Sequence, residues 1–325
     1  MKNRICELIG IQYPIMQGGM QWLATPELAA AVSNAGGLGT INASISRDRD
    51  DLIRLIRDTR RLTDKPFALN ISMLPNLAAG DRTDEFMAVA VEQRVPVVET
   101  CGRSPADYIP ALHGAGIRVI HKVTSVRHAK KAEQAGADAV SIVGFEAGGH
   151  PGMDDVGSFV LIPAVADALQ VPLLAGGGVC DGRSYLAARC LGADGVVMGT
   201  RFMASEECWL PEPFKRVLVS ASERDTILVQ KTIRNACRVW KNKACMELYE
   251  REAHGSPTLE EVLAVVSGAR QKRCYEAGDV DGGTFPCGQC MGRIPSILPV
   301  SAIMQMMLRE AGQLRGRAGE DDESV

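Results

Sequence analysis

The sequence predicts an α/β protein that folds as a (β/α)8 TIM barrel with a helical C-terminal cap. Short β-rich runs alternate with helical patterns from residue 13 onward, and eight such units can be counted. Parallel strands that alternate with helices form βα units, and eight of these units favour a closed barrel over an open sheet. The 33 glycines supply the tight turns that such units need. The predicted strands are residues 14–17, 37–43, 66–72, 96–100, 118–123, 137–143, 171–175 and 195–198.

The segments between these runs carry helix signals. Thr25 is suited to an N-cap, Pro26 to the first helical position, and Glu27 to the first turn, where it faces the helix dipole. Asp181 opens a later helix, and Gly192 is expected to end it. These signals predict that helices separate successive strands.

The pattern changes after the eighth strand, and the sequence predicts three units: a barrel domain at residues 1–205, a helical cap at 206–277 and a return segment at 278–325. The return segment contains a glycine-rich stretch, an apolar helix that packs on the barrel and a charged, disordered tail. These are residues 278–292, 297–314 and 315–325. The helical patterns of the cap are residues 213–222, 225–235, 244–252 and 258–268.

Charge and hydropathy limit the class of partner. A formal net charge of -3 supplies no basic field for phosphate backbones, so we expect no nucleic-acid partner. The amino terminus lacks an apolar signal segment, and no run approaches the roughly 18 apolar residues of a membrane span. We therefore expect a cytoplasmic protein without a membrane partner.

The ten cysteines are scattered, which favours free thiols over a disulfide framework. Cys287 and Cys290 form the one CxxC motif. A structural zinc site would need a second pair at comparable spacing, and Cys274 is too distant to supply one. We expect no metal site, although a redox-active pair stays open as an alternative.

The stretch from Val140 to Gly152 predicts the active centre. It runs from a buried-strand pattern into a glycine-rich loop that presents His150. Gly148 and Gly149 remove side chains, so a flat ligand could touch the backbone there. The alternative is an ordinary turn that carries a solvated or capped histidine.

Ligands of such barrels bind at the carboxyl ends of the strands. Glycines after the seventh and eighth strands expose N–H groups and predict a phosphate cradle at the usual position. Gln17 and Asn70 could bind the edge of a heterocycle, or they could satisfy loop backbone. Lys122 offers a fixed charge, or it could pair with Glu99. The candidate residues at the strand ends are Gln17, Gly19, Met20, Asn70, Thr100, Lys122, Gly177, Gly178, Gly199 and Thr200.

Several motifs resemble the nitronate monooxygenase family, once called 2-nitropropane dioxygenases, whose FMN-dependent barrels include flavin-dependent enoyl-acyl-carrier-protein reductases. The resemblance runs from Ile11 to about Ile294. Its motifs are PIMQGGM at 14–20, NAGGLG at 34–39, Lys122, GGHPG at 148–152, AGGG at 175–178 and MGTRF at 198–202.

Within the family, several stretches look closest to the NADH:quinone reductase branch. These are residues 20–22, 62–67, 99–102, 124–129 and 151–155. The sequence departs from that branch around His150, where Val143, Ala147, Gly149 and Met153 replace the expected Asp, Cys, Ala and Glu.

The resemblance implies a bound FMN. Its phosphate would lie on Gly177, Gly178, Gly199 and Thr200. Its ring would lie across Gly19, Met20, Asn70, Lys122, Gly148 and Gly149, with His150 over the reactive side. Gln289 matches a segment that returns to the flavin.

The resulting prediction is an FMN-dependent NAD(P)H:quinone reductase that uses NADH or NADPH in a ping-pong scheme, with His150 and Lys122 as catalytic residues. The alternatives are oxidation of nitronates with O2, reduction of an enoyl thioester, a non-redox phosphate-binding isomerase and a passive flavin binder. Each requires a small-molecule ligand. A homo-oligomer is possible, because the Met-rich helix near Met304 could be either a partner surface or core.

Overall fold

The computed structural model describes residues 3–73, 80–255 and 257–322, and its centre is a barrel of eight parallel strands. Adjacent strands pair in chain order from β2 to β8, and β1 pairs with β8. The barrel closes where the N–H of Gln17 donates to the carbonyl of Leu38 at 2.9 Å. The predicted barrel is confirmed. Strands β1 to β8 are Ile15–Gln17, Gly39–Asn42, Phe67–Ser72, Val97–Cys101, Arg118–Val123, Ala139–Val143, Leu173–Gly176 and Gly195–Met198.

One helix precedes the barrel, and one helix follows each strand. Asp181 caps α8 as expected, because its carboxylate accepts from the N–H of Ser184 at 2.8 Å. Thr25 occupies the N-cap of α2 but makes no side-chain cap bond. Pro26, at the first helical position, is therefore the residue that favours the start of that helix. Helices α1 to α9 are Arg4–Ile9, Pro26–Asn34, Arg49–Leu62, Thr83–Glu92, Ile109–Gly114, Val126–Gln134, Ser158–Ala166, Gly182–Cys190 and Thr200–Met203.

The barrel interior is apolar at the amino ends of the strands and polar toward their carboxyl ends. Ile5 and Ile9 of α1 pack with inward residues such as Ile120 at the amino end. Side chains alternate along a strand, so the residue two positions further on faces the same way. Lys122 therefore faces inward above Ile120. By the same rule Asn70, Glu99, Cys101 and Ser141 also face inward.

The chain after the barrel contains a β-hairpin as well as helices, and one predicted helix is wrong. Residues 225–235 form strand β9 and a turn, because Thr226–Val229 is rich in β-branched residues. Gln230 and Arg234 adopt φ values of 67° and 55°, which a helix does not allow. Strands β9 and β10 are Thr226–Val229 and Cys237–Trp240, and helices α10 to α13 are Glu212–Ser220, Lys243–His254, Leu259–Val266 and Gly268–Ala277.

Helix α14, Val300–Asp322, packs on α8 and runs further than expected. The sequence predicts a disordered tail at 315–325, whereas the helix continues to Asp322; residues 323–325 lie outside the described residues. Met304 and Met307 are buried, whereas Met306 is exposed, so this helix contributes to the core. Among the residues described, no helix combines the length and apolar character needed to cross a membrane. The unit boundaries near residues 206 and 278 stay a prediction.

Candidate active site

The loops after β7 and β8 present backbone donors that the protein itself leaves free. Gly177 and Gly178 take φ values of 95° and 75°, a region that favours glycine. Within residues 3–73, 80–255 and 257–322, the N–H groups of Gly178, Gly199 and Thr200 reach no acceptor. Strands β7 and β8 are neighbours, so these donors lie at one edge of the barrel mouth. The set fits the phosphate expected there.

The neighbouring helix starts are already filled by carboxylates of the protein. Both carboxylate oxygens of Glu146 accept from the N–H of Ser158 at 3.0 Å, at the start of α7. At the start of α8, Glu310 of α14 accepts from Gly182 at 2.8 Å. An external anion therefore finds its free donors in the two glycine loops.

A chain of side-chain hydrogen bonds orients Asn70 in the mouth. The N–H of Ser44 donates to Asn42 Oδ1 at 2.8 Å, so Asn42 Nδ2 is the donor to Asn70 Oδ1 at 3.1 Å. Asn70 Nδ2 donates in turn to Glu99 Oε2 at 2.6 Å. Among the described residues, the second N–H of Asn70 has no acceptor, so it is available to a ligand.

Two buried atoms of the polar layer have no partner within the described part of the chain: Glu99 Oε1 and Ser141 Oγ. Buried polar groups in native proteins are normally paired, so these atoms indicate an interacting group that the chain does not provide. Lys122 stands beside Ser141 in the register and does not donate to Glu99. The nearby Cys101 and Glu99 raise the pKa of Lys122, so it is cationic at neutral pH.

The β1 loop closes against this polar layer at Gly19. A Cβ at Gly19 would lie 2.2 Å from Asn70 Cγ, so glycine is required for the loop to approach the amide. The next residue, Met20, reaches the β8 loop, where its sulfur would lie 3.6 Å from a Cβ at Gly199. The loop therefore spans the mouth from the polar layer to the phosphate cradle.

The return segment packs directly on the loop after β6. A Cβ at Gly148 would lie 2.5 Å from the carbonyl carbon of Cys287. The N–H of Gln289 donates to the carbonyl of Glu146 at 3.0 Å, and the N–H of Gly288 donates to Thr200 Oγ1 at 2.9 Å. This segment therefore joins the His150 loop to the phosphate cradle.

His150 is exposed in the loop after β6. Its pKa is lowered to about 4, first by the surrounding protein atoms and second by the charge of Lys122. His150 is therefore neutral at physiological pH. A neutral imidazole offers one N–H donor and one acceptor nitrogen.

Two candidate residues direct their side chains elsewhere. Thr100 lies between inward-facing Glu99 and Cys101, so it faces the outer helices, where its hydroxyl meets His121 Nδ1 at 2.8 Å. Gln17 is fully buried, and its side chain bonds the backbone of Thr40 at 2.8 and 3.3 Å. Neither side chain therefore points into the mouth in this structure.

The CxxC cysteines face different partners. Cys287 Sγ lies 3.7 Å from Met291 Sδ, whereas Cys290 approaches Cys180 in the loop after β7. In the described part of the chain, no three His, Cys, Asp or Glu side chains come together as a metal site would require.

The sequence did not predict that Arg238, a residue of the hairpin, contacts the His150 loop. Arg238 of β10 pairs with Gly149 through the backbone, and its guanidinium contacts the carbonyl of Phe145. Arg238 is nearly 90 residues from the loop that it contacts, and no local pattern in the sequence could have indicated the pairing.

The chain is similar in sequence and in fold to several known proteins. The FabK structure from Thermotoga maritima is 38% identical with a TM-score of 0.90, covering 98% of this chain and 99% of that one. A (3aS,4S,5R,7aS)-5-hydroxy-7a-methyl-1-oxo-octahydro-1H-indene-4-carboxyl-CoA dehydrogenase from Rhodococcus jostii is 37% identical over 71% of this chain; the match spans 63% of that relative.

A probable nitronate monooxygenase from Staphylococcus aureus strain Newman is 30% identical, over 96% of this chain and 98% of its own length. The model of the nitronate monooxygenase family matches residues 2–310. The chain therefore belongs to the nitronate monooxygenase family.

Proposed function

We propose that the protein is an FMN-dependent oxidoreductase that passes electrons from NADH or NADPH to a quinone. The proposal rests on one observation: the barrel mouth carries two sets of groups that find no partner in the described part of the chain. Free backbone donors line one edge, and a cation with two orphaned buried oxygens lines the floor. A ligand with a phosphate at one end and a polar heterocycle at the other satisfies both sets.

The assignment of residues to the cofactor follows from this geometry. Gly178, Gly199 and Thr200 would hold the phosphate, and Asn70 and Lys122 would bind the ring edge. The side chains of Gln17 and Thr100 are left out, because both are engaged elsewhere. FMN, when bound, supplies the capacity to take up a hydride and to give up two electrons.

Lys122 and His150 have different roles in the proposed reaction. The ammonium of Lys122, fixed in the polar layer, stabilises negative charge that develops near it during reduction. His150 is neutral, so it holds the acceptor by a hydrogen bond from its N–H and is a poor acid.

The choice of a quinone rests on the stretches that resemble the quinone reductase branch. Two of these stretches touch each other beside the mouth: a Cβ at Gly152 would lie 2.8 Å from Thr124 Cβ. That contact fixes the turn directly after His150. It makes the two stretches parts of one local structure at the acceptor side.

An enoyl thioester is the second candidate substrate. The full-length likeness to FabK and the likeness to a carboxyl-CoA dehydrogenase favour this class. Quinones and enoyl thioesters are both electrophilic carbonyl compounds, so the same neutral histidine could hold either carbonyl oxygen.

Anaerobic half-reactions test the proposal. The purified protein should carry about one FMN per chain, and NADH or NADPH should bleach its absorption band without air. Reoxidation of the reduced flavin by benzoquinone and by crotonyl-CoA is then timed separately. Because a nitronate donates electrons, propionate 3-nitronate is tested instead as a reductant of the oxidised protein, with O2 as the final acceptor. If only crotonyl-CoA reoxidises the flavin quickly, the acceptor is an enoyl thioester and not a quinone. A colourless protein would favour the isomerase alternative.

The His150→Ala variant tests the acceptor role. The phosphate donors are backbone groups, so the variant should keep its FMN. Stopped-flow traces should show that reoxidation by the acceptor slows more than reduction by NADH. Equal slowing of both half-reactions would remove His150 from the acceptor side.

A further inference from the structure

Arg238 of the β9–β10 hairpin holds the active-site loop at two places. Its backbone accepts from the N–H of Gly149 at 3.0 Å and donates to the carbonyl of Gly149 at 2.6 Å. Its guanidinium donates to the carbonyl of Phe145 twice, from Nε at 3.1 Å and from Nη2 at 2.9 Å. The loop from 145 to 149 is therefore fixed at both ends by one residue, immediately before His150.

The surroundings of Arg238 fix its own position. It is only 4% exposed, and its Nη1 donates to the hydroxyl of Thr226 at 3.1 Å across the hairpin. The guanidinium also lies over the ring of Phe145, 4.7 Å from the centroid. A buried cation with this many partners is rigid, so the loop that it binds is rigid too.

We propose that Arg238 is a positioning residue that sets the place of the His150 ring at the mouth of the site. The role assigned to His150 rests on the proposed function, whereas the effect of Arg238 on the ring does not. Arginine is needed because its planar fork reaches the carbonyl of Phe145 and the hydroxyl of Thr226 at once. A lysine would keep the charge but could not reproduce that fork.

The environment of His150 provides a direct readout. Its pKa depends on the protein atoms around the ring and on the distance to Lys122, the charged group that faces it. A released loop would move the ring away from Lys122 and from the protein atoms that now surround it. The pKa of His150 should then rise toward its ordinary value.

The experiment is an NMR titration of the histidine side chains in the protein as purified, with Arg238→Lys and Arg238→Met beside the wild type. His150→Gln identifies the resonance. We expect the pKa of His150 to rise in both variants, because the displaced ring lies further from the charge of Lys122 and from the surrounding protein atoms. His121 lies on the outer side of the barrel and should keep its low pKa, which makes it an internal control.

Arg201→Lys is the matched control for the loss of a buried arginine. Arg201 is 4% exposed and donates to the carbonyl of Ser296, away from the His150 loop. It should lower the melting temperature and leave the pKa of His150 in place. The same pattern in both Arg238 variants would overturn the proposal, because Arg238 would then contribute stability alone.

A milder variant is included in case the Arg238 variants do not fold. Thr226→Val removes only the hydroxyl that Nη1 contacts and suits a β-strand. It should raise the pKa of His150 in the same direction by a smaller amount. If the Arg238 variants do not fold and Thr226→Val leaves the pKa unchanged, the proposal is wrong.

Discussion

Replacing Gly148 by alanine tests whether the return segment seals the active-site loop. The new Cβ would lie 2.5 Å from the carbonyl carbon of Cys287 and 2.7 Å from the nitrogen of Gly288. Both are backbone atoms, so no side-chain rotation relieves the overlap. The segment must move, and it then loses its bonds to Thr200 and Glu146.

The magnitude follows from these contacts. Each of the two lost hydrogen bonds should cost about 1 kcal/mol, and the displaced packing should add about 1 kcal/mol. A total near 3 kcal/mol corresponds to a drop of about 4 °C in melting temperature for a chain of this size. FMN should also bind more weakly, because Thr200 belongs to the phosphate cradle.

Gly149→Ala is the matched control. A Cβ there meets nothing within 4 Å, so the only penalty comes from the φ value of 78°. A left-handed conformation costs a non-glycine residue about 1 kcal/mol, or about 1.5 °C by the same conversion. Melting curves of both variants, read by circular dichroism, decide the matter. Equal losses would contradict the proposed overlap, because Gly148 has no left-handed φ value and its substitution would then cost no more than a strained conformation.

Three further predictions concern charge, acid stability and orientation. Lys122→Met should lower the two-electron midpoint potential of the flavin by about 40 mV if about 2 kcal/mol of stabilisation is lost. A dye-referenced redox titration checks it, and an unmoved potential with a lower melting temperature would assign Lys122 a structural role. Burial lowers the pKa of His121 to about 4, below the unfolded value of 6.5. Its contribution is therefore complete above about pH 6.5 and is lost as pH falls toward 4, by about 3 kcal/mol. His121→Leu should flatten the fall in melting temperature over that range, and an unchanged slope would contradict the assignment. Asn42→Asp sets a carboxylate oxygen against Asn70 Oδ1, so FMN should bind about tenfold more weakly. Fluorescence titration measures this affinity, and unchanged binding would disprove the role of the amide chain.

The barrel could be predicted because its signals are local. Each of the eight β-rich runs overlaps an observed strand, and their boundaries differ by two residues or fewer. The hairpin was missed because its two four-residue strands lie in a charged region with a helical pattern, where periodicity over short runs is ambiguous.

The site was harder to predict, because side chains alternate along a strand. An error of one residue in the position within a strand reverses the direction in which a side chain faces. Lys122 and Asn70 face the interior, whereas Thr100 sits one position from Glu99 and faces outward. The contacts of Arg238 and Gln289 with the loop join distant parts of the chain. Local sequence carries no information on such pairings.

Two residues that hold the active-site loop in place are synthesised after the eight strands of the barrel. The eight strands leave the ribosome before Arg238 and Gln289, the residues whose backbones hold the loop at 145–149. A nascent barrel would therefore expose its glycine loops, unsealed, while about a third of the chain is still being translated. We expect stable uptake of flavin to begin only after residue 289 has emerged, so ribosome-bound chains stalled before that point should release the cofactor on washing.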